Sequence, residues 1–352
     1  VCLKGHAHSR AIGLYSSIGG LSFIIGQVLG GFLVHANIAG SQWRSIFLIN
    51  LPVCAIVLLL SPRFIPETRR SNPAGIDWPG TILLALLIIS ILVPVAVGPS
   101  VGWSWPWLLA MAAALPLAVA LWKTEFNQAK RGTLPLLPPS LTRLPTVRFG
   151  FFMAILFFSC WSGFMFVLAL TLQAGAGLTP LQSGNSFIAL GVAFFVGSLL
   201  STRTVARIGL LPTLILGCAM VIPGLLCLLW ILRVVWPAPD LISLTIPSFL
   251  IGIGQAFIVG AFYRIGMSQI PAEQAGAGSA MLSTIQQAAM GFGPTLLGAV
   301  FSQALLHGHD YQQALGASLQ LEMVLIAILL VASTGYYFRT RKQSRLAVQG
   351  NS

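Results

Sequence analysis

Ten runs of mainly apolar residues follow one another along the chain, at 11–35, 45–62, 78–98, 105–122, 147–172, 181–202, 209–232, 241–263, 276–306 and 318–338. Most are near the roughly 20 residues that a helix needs to cross a hydrocarbon layer about 30 Å thick, and most of the charges fall between them. The pattern predicts an all-α polytopic membrane protein with about ten transmembrane helices, whose partners include the lipid bilayer.

The first run is studded with glycine. On a helical wheel at about 100° per residue, Gly19, Gly26 and Gly30 fall on one line, Gly13, Gly20 and Gly31 on a neighbouring line, and Gln27 lies between them. In water each interior glycine would cost about 1 kcal/mol relative to alanine. Inside a membrane nothing but a helix satisfies the backbone, and small residues let two helices come close. The glycine face therefore predicts tight packing in a bundle, with Gln27 turned away from lipid.

Composition and charge sharpen this picture. The chain is 56% apolar and 7% charged, against roughly 25% charged residues in soluble domains, so it cannot present a water-facing surface of ordinary size. A formal charge of +12 would suggest nucleic acid in a soluble protein. Here the charge is sorted by side: of 19 basic residues only Arg44 and Arg233 fall in one set of loops, and the rest fall in the other set or at the chain ends. That asymmetry places the rich side, with the C-terminus, in the cytoplasm, and no nucleic-acid partner is expected. Trp43, Trp103, Trp105, Trp107 and Trp236 mark the poor side, where indole favours the headgroup zone. Five scattered cysteines without a CxxC pair indicate neither zinc nor disulfides. The chain opens at Val1 in a polar stretch and is expected to be cut from something longer.

Two motifs carry a family resemblance. Gly26-Gln27-Val28-Leu29-Gly30-Gly31 resembles the glycine-rich fifth-helix motif of drug:proton antiporters in the major facilitator superfamily. The segment from Trp43 to Pro52, with Arg44, Phe47 and Asn50, is similar to the opening of helix six in the fourteen-span branch of that family. Many members have proline where this chain has Gln27, so a role for a proline kink does not transfer. Asp77-Trp78-Pro79-Gly80 opens a pair of spans resembling the hairpin inserted between the two six-helix bundles of that branch. A shift of 267 places Ser16, Ile18, Gly26 and Gly31 on Ser283, Ile285, Gly293 and Gly298, as duplicated transporter halves would. Arg207-Ile208-Gly209 resembles a degenerate second copy of the family's loop between helices two and three, with Ala206 where an acid is usual; that acid's role is not carried over.

The resemblance implies an organisation and a function. Residues 1–62 would be the remainder of an N-terminal bundle (two spans), 63–123 the inserted hairpin, 124–146 a proline-rich cytoplasmic linker, 147–340 a C-terminal six-helix bundle and 341–352 a cytoplasmic tail. Spans one to four would be absent, and with them the acid and the basic motif that such antiporters are thought to use for coupling. The implied protein is a monomeric, multi-pass transporter of a bacterial inner membrane that exports small lipophilic compounds, drugs among them, with protons as the coupling ion and no cofactor. Alternatives keep the fold with another cargo (a siderophore, sugar acid or amino acid), or make the chain a truncated fragment that transports nothing.

An enzyme would need reactive groups that converge, and the sequence offers none. His307, His309 and Asp310 have loop spacing better suited to a solvated turn than to a metal site, and no phosphate loop or nucleophile elbow occurs. What remains are polar residues within apolar helices, which are expensive unless they face protein or water. Gln173, Gln255, Gln286 and Gln287 are such residues. Ser248, Gly252, Gln255 and Phe262 share one helical face, and Ser279, Ser283, Gln286 and Gly293 another. These faces are expected to look inward, either to bond a neighbouring helix or to touch substrate. Phe157, Trp161 and Phe164 form an aromatic stripe that fits a cavity wall or a lipid-facing surface equally. Glu322 is the one acid within a span, a candidate proton carrier placed by this reading about one turn inside the outer end of the last helix, where snorkelling or capping competes with that role.

Overall fold

The computed structural model describes residues 22, 25–64, 77–131 and 135–349; Gly13, Gly19 and Gly20 lie outside them. Among the described residues there is no strand, and nine helices are long and apolar enough to cross a membrane. A shorter apolar helix α1 (Ile25–Ala36) comes first, followed by α2 (Gln42–Phe64), α3 (Trp78–Val101) and α4 (Trp105–Lys130). A short α5 (Pro139–Thr142) leads to α6 (Pro145–Gly175), α7 (Pro180–Ile208), α8 (Leu210–Val235), α9 (Thr245–Met267), α10 (Ala275–Leu306) and α11 (Tyr311–Gln349).

Local chemistry sets the helix ends. Asp77 caps α3 by accepting the Gly80 amide at 2.8 Å, with Pro79 in the first turn, where its missing N–H costs nothing. Thr179 and Gln182 form a capping box at the start of α7: the Gln182 amide donates to Thr179 Oγ1 and the Thr179 amide donates to Gln182 Oε1. Gly209, at φ 93°, turns the chain between α7 and α8 with a backbone that a side chain would strain.

Helices α6 to α11 pack as one bundle. α9 lies against both α7 and α8, α6 against α10, and α11 against α8, α10 and α6. Their shared interior holds Phe157, Phe158, Leu214, Phe262, Leu297 and Phe301. The bundle closes where glycines meet. A Cβ on Gly217 would stand 2.7 Å from the Gly254 carbonyl oxygen, and one on Gly254 would stand 2.7 Å from that of Gly217. Between α6 and α10, a Cβ on Gly163 would meet the Gly293 carbonyl at 2.7 Å. Serines bridge helices as well: across the α6 and α10 seam Ser159 Oγ donates to the Ala289 carbonyl at 3.0 Å, and between α11 and α10 Ser318 Oγ donates to that of Leu297 at 3.0 Å. α3 and α4 pair as a hairpin that rests on α10 through α3.

Two boundaries differ from those expected. α4 continues past Lys123 to Lys130, because Glu125, Gln128 and Ala129 favour helix even though they are not apolar. The last helix starts at Tyr311 rather than near 318. Hydropathy alone misses its polar first turn, which Asp310 caps by accepting the Gln313 amide at 2.7 Å. α6 also carries two π-helical segments, Ala154–Phe158 and Thr171–Gly175, a geometry usually confined to single turns at functional places.

The glycine seam gives the first prediction. Gly254→Leu puts a side chain where only a backbone fits, and overpacking of this kind costs about 1–3 kcal/mol. The variant is expected to unfold at a lower temperature in detergent and to yield less monodisperse protein. Leu226→Ala, at a position 54% exposed on the outside of α8, should leave thermal unfolding unchanged.

Candidate substrate cavity

The aromatic stripe of α6 turns inward. Phe157 and Phe164 are 2% and 1% exposed, so they are core side chains, while Trp161 stays partly open. Trp161 stacks on Phe194 of α7 with centroids 5.4 Å apart and planes 20° from parallel, and lies 5.8 Å from both Phe157 and Phe158. Phe158 in turn meets Phe262 of α9 edge-on at 5.1 Å. The result is an aromatic layer across α6, α7 and α9 of which Trp161 is the partly exposed member on α6.

The polar faces behave differently from each other. Gln255 is 1% exposed, and its Oε1 has no hydrogen-bond partner. Its face of α9 is partly sealed against α7: a Cβ on Gly252 would meet the Leu190 carbonyl and the Ala193 Cβ. On α10 the polar face is more open, with Ser283 and Gln287 exposed and Gln286 half-buried. There the Tyr263 hydroxyl of α9 donates to Gln286 Oε1 and lies 3.2 Å from Ser283 Oγ. Gln173 is exposed at the far end of α6, and its Nε2 donates to Ser183 Oγ of α7 at 3.3 Å. Tyr263 and Phe194 were not singled out from sequence. Tyr263 precedes Arg264 at a span end and reads as an interfacial tyrosine; the signal for it lay in the unexplained Ser283 and Gln286 pair across the groove.

Around the glycine motif, α1 meets the beginning of α7. A Cβ on Gly31 would stand 2.6 Å from the Pro180 carbonyl, and one on Gly184 would stand 2.9 Å from the Gln27 carbonyl. Cβ atoms on Gly26 or Gly30 would meet nothing within 4 Å among the described residues. The Ser45 hydroxyl ties α2 back to α1 through the Leu33 carbonyl at 3.1 Å. The motif that opens α2 is exposed: the Arg44 guanidinium lies 4.7 Å over the Trp43 ring, Trp43 meets Phe47 edge-on, and Asn50 and Pro52 face outward.

Glu322 requires a correction. It stands eleven residues into α11, about 16 Å along the helix axis, and is 1% exposed with Oε2 buried and without a hydrogen-bond partner. A carboxyl in that position neither snorkels nor caps. Cys160 of α6 approaches its main-chain oxygen at 4.0 Å. Elsewhere, a 680 Å³ cavity between the ends of α8, α10 and α11 is lined by Arg233, His307, His309 and Gln312, and contains none of the candidate residues. His307 Nδ1 pairs with the Gln303 carbonyl and His309 Nδ1 with Gln313 Oε1, so both imidazoles belong to the turn that caps α11.

A family model, the Major Facilitator Superfamily, matches residues 3–83 and 78–294. The chain is 29% identical over 296 residues to a probable actinorhodin transporter of Streptomyces coelicolor, covering 83% of this chain and 51% of that protein. It is 27% identical to the multidrug resistance protein Stp of Mycobacterium tuberculosis, over 84% of this chain and 52% of Stp. With the tetracenomycin C resistance and export protein of Streptomyces glaucescens the figures are 25%, 84% and 53%. The chain spans about half the length of the curated relatives it matches.

The Tyr263 and Gln286 contact is open to measurement. A double-mutant cycle of Tyr263→Phe and Gln286→Leu should return a coupling of about 0.5–1.5 kcal/mol, the range for polar contacts between helices in membranes. Denaturant unfolding in mixed micelles reads it, and a coupling near zero would mean that the pair does not hold α9 to α10.

Proposed function

The chain belongs to the major facilitator superfamily, and from that premise we propose that it is part of an exporter of small lipophilic compounds, driven by inward proton flow. The observation that carries this reading is a pair of partly exposed groups in the six-helix bundle: Trp161 on its aromatic layer offers stacking, and Tyr263 with Ser283 and Gln286 offers hydrogen bonding. A flat, largely apolar molecule with a few polar atoms fits such a surface. The names of the relatives, which speak of multidrug resistance and antibiotic export, support the same cargo class. Nothing in the set of side chains calls for covalent chemistry, and the reading is one of transport without catalysis.

In this reading the chain belongs to the fourteen-span branch and carries its last ten spans. Residues 1–62 complete a first bundle, 63–123 form the inserted hairpin, 124–146 link it to the six-helix bundle of 147–340, and 341–352 form the tail. The protein works as a monomer in a bacterial inner membrane. Substrate would bind between the two bundles, with Gln173 and Gln286 on the wall supplied here and the buried Gln255 behind it, and would be exposed alternately to either side as the bundles rock. The coverage of about half of each relative supports a transporting unit longer than this chain.

Orientation follows from the charge asymmetry and is directly testable. In a cysteine-free background, cysteines at Ser41 and Gly308 should react with an impermeant thiol reagent from outside intact cells, while one at Ser140 should react only after permeabilisation. The reverse pattern would put the C-terminus outside and overturn the orientation.

Coupling can be tested at Glu322, the candidate carrier within the described spans. Among the described residues no hydrogen-bond partner reaches its Oε2. Expressed alone, the 352-residue chain is expected to give no proton-driven efflux. In a parent protein that transports, Glu322→Gln should keep most of the activity at equal abundance. Everted vesicles with a pH-sensitive dye read both, as collapse of the gradient on adding a lipophilic cation. Substrate-induced proton movement by the isolated chain would refute the first expectation. Loss of it in Glu322→Gln would make Glu322 the carrier.

A further inference from the structure

At one end of the α3–α4 hairpin, two acids from opposite helices meet in a nearly dry pocket. Asp77 is 9% exposed and Glu125 1% exposed. Asp77 Oδ1 accepts from the Gly80 amide at 2.8 Å and from Gln128 Nε2 at 2.6 Å. Its Oδ2 accepts from the Leu136 amide at 3.1 Å, and Glu125 Oε2 accepts from the next amide, Leu137, at 2.7 Å. That leaves Glu125 Oε1 buried with no donor from the protein. What it faces is the carboxyl of Asp77: a single point, the place of a Cβ on Gly80, lies within contact of both Glu125 Oε1 and Asp77 Oδ2. Gly80 makes the meeting possible, because a Cβ there would collide with both Asp77 Oδ2 and Glu125 Oε1.

Two carboxylates this close and this far from water repel each other, and a single proton shared between them relieves that repulsion. Among the described residues no cation neutralises them. α3 carries no titratable side chain, α5 and α10 carry none, and Lys123, Lys130, Arg131 and Arg143 are exposed. Lys130 is placed over the Phe126 ring.

We propose that Asp77 and Glu125 form a proton-binding site separate from the substrate face. One proton is held between Glu125 Oε1 and the Asp77 carboxylate, and the loaded pair clasps the Leu136 and Leu137 amides. The clasp fixes the segment leading into the six-helix bundle to the end of the hairpin. Burial pushes the Asp77 carboxyl up, but donation from Gln128, Gly80, Leu136 and Glu125 outweighs it and holds Asp77 below its ordinary range. The shared proton therefore resides on Glu125. Release follows a simple balance: the carboxylic acid of Glu125 gives its proton to water, two adjacent anions remain and repel each other, and as they part the neighbouring Leu136 and Leu137 amides can no longer reach both at once.

The sign of the pH effect follows. Asp77 is depressed, so its contribution survives as pH falls until its own low value is reached; on the other side the clasp is lost as pH rises and the shared proton leaves. A clasp closed in acid and open in alkali, at the end of the molecule assigned above to the cytoplasm, would report the internal pH to the moving bundles. Only that last step rests on the proposed orientation and transport; the proton site can be tested in the purified chain.

The test uses the full chain in lipid nanodiscs between about pH 5 and about pH 9, a range that brackets and exceeds ordinary carboxyl values. Infrared difference spectra should show a carboxylic-acid carbonyl band that disappears on alkalinisation and is absent from Glu125→Gln. Over the same range, amide exchange at Leu136 and Leu137, corrected for the intrinsic rate, should lose protection by about tenfold, a loss of the size expected for a hydrogen bond to a charged group. In Glu125→Gln, whose amide can still donate to Asp77 but cannot ionise, protection should not vary with pH. No titrating acid band, a band that survives Glu125→Gln, or pH-independent exchange in the unsubstituted chain would each overturn the proposal. The first and third need no variant, so a variant that fails to fold leaves the test intact.

Discussion

Helices in hydrocarbon gain nothing from burying leucine against leucine, because lipid chains are as apolar as any side chain. Their association rests on close backbone approach and on the few hydrogen bonds that cross the gap. In this bundle that constraint is met at Gly217 with Gly254 and at Gly163 with Gly293, where each seam is narrow enough to admit no Cβ. Ser159 can reach the Ala289 carbonyl because α6 and α10 are that near at the Gly163 and Gly293 seam.

The polar side chains within the helices then fall into three kinds. Some join helices, as Tyr263 does with Gln286. Some are buried with an oxygen left over, as in Gln255 and Glu322. The acids at the end of the hairpin belong to a third kind, which ties a connecting segment to a helix pair. Sorting them matters for the transport proposed above, which needs helices held firmly within each bundle and loosely between bundles.

Much of this organisation was legible in the sequence. Span positions followed from run length, since hydrocarbon thickness dictates it, and the resemblance agreed with the family model at the level of the superfamily. The candidate site was legible only in part. The i, i+3 spacing of Ser283 and Gln286 put both on one face of α10, but not that Tyr263 would reach them from another helix. The spacing of Phe157, Trp161 and Phe164 defined a stripe without saying which way it turned; the π-helical turn at Ala154–Phe158 and the Gly163 seam decide that. Glu322 was misplaced because hydropathy marks where apolar residues begin, whereas a helix begins where it is capped. Asp77 and Glu125 were invisible as a pair because they are far apart in sequence, and only the antiparallel hairpin brings them together.

The contact between α1 and α7 has a mechanical side. Where Gly31 meets Pro180 and Gly184 meets Gln27, main chain lies against main chain. Two smooth rods that touch this way can roll past one another without any knob having to leave a socket, so rotation meets little friction while separation still forfeits the contact. The joint is built as a bearing, and a side chain at Gly184 would act on it as grit does, raising the resistance to turning more than it loosens the fit.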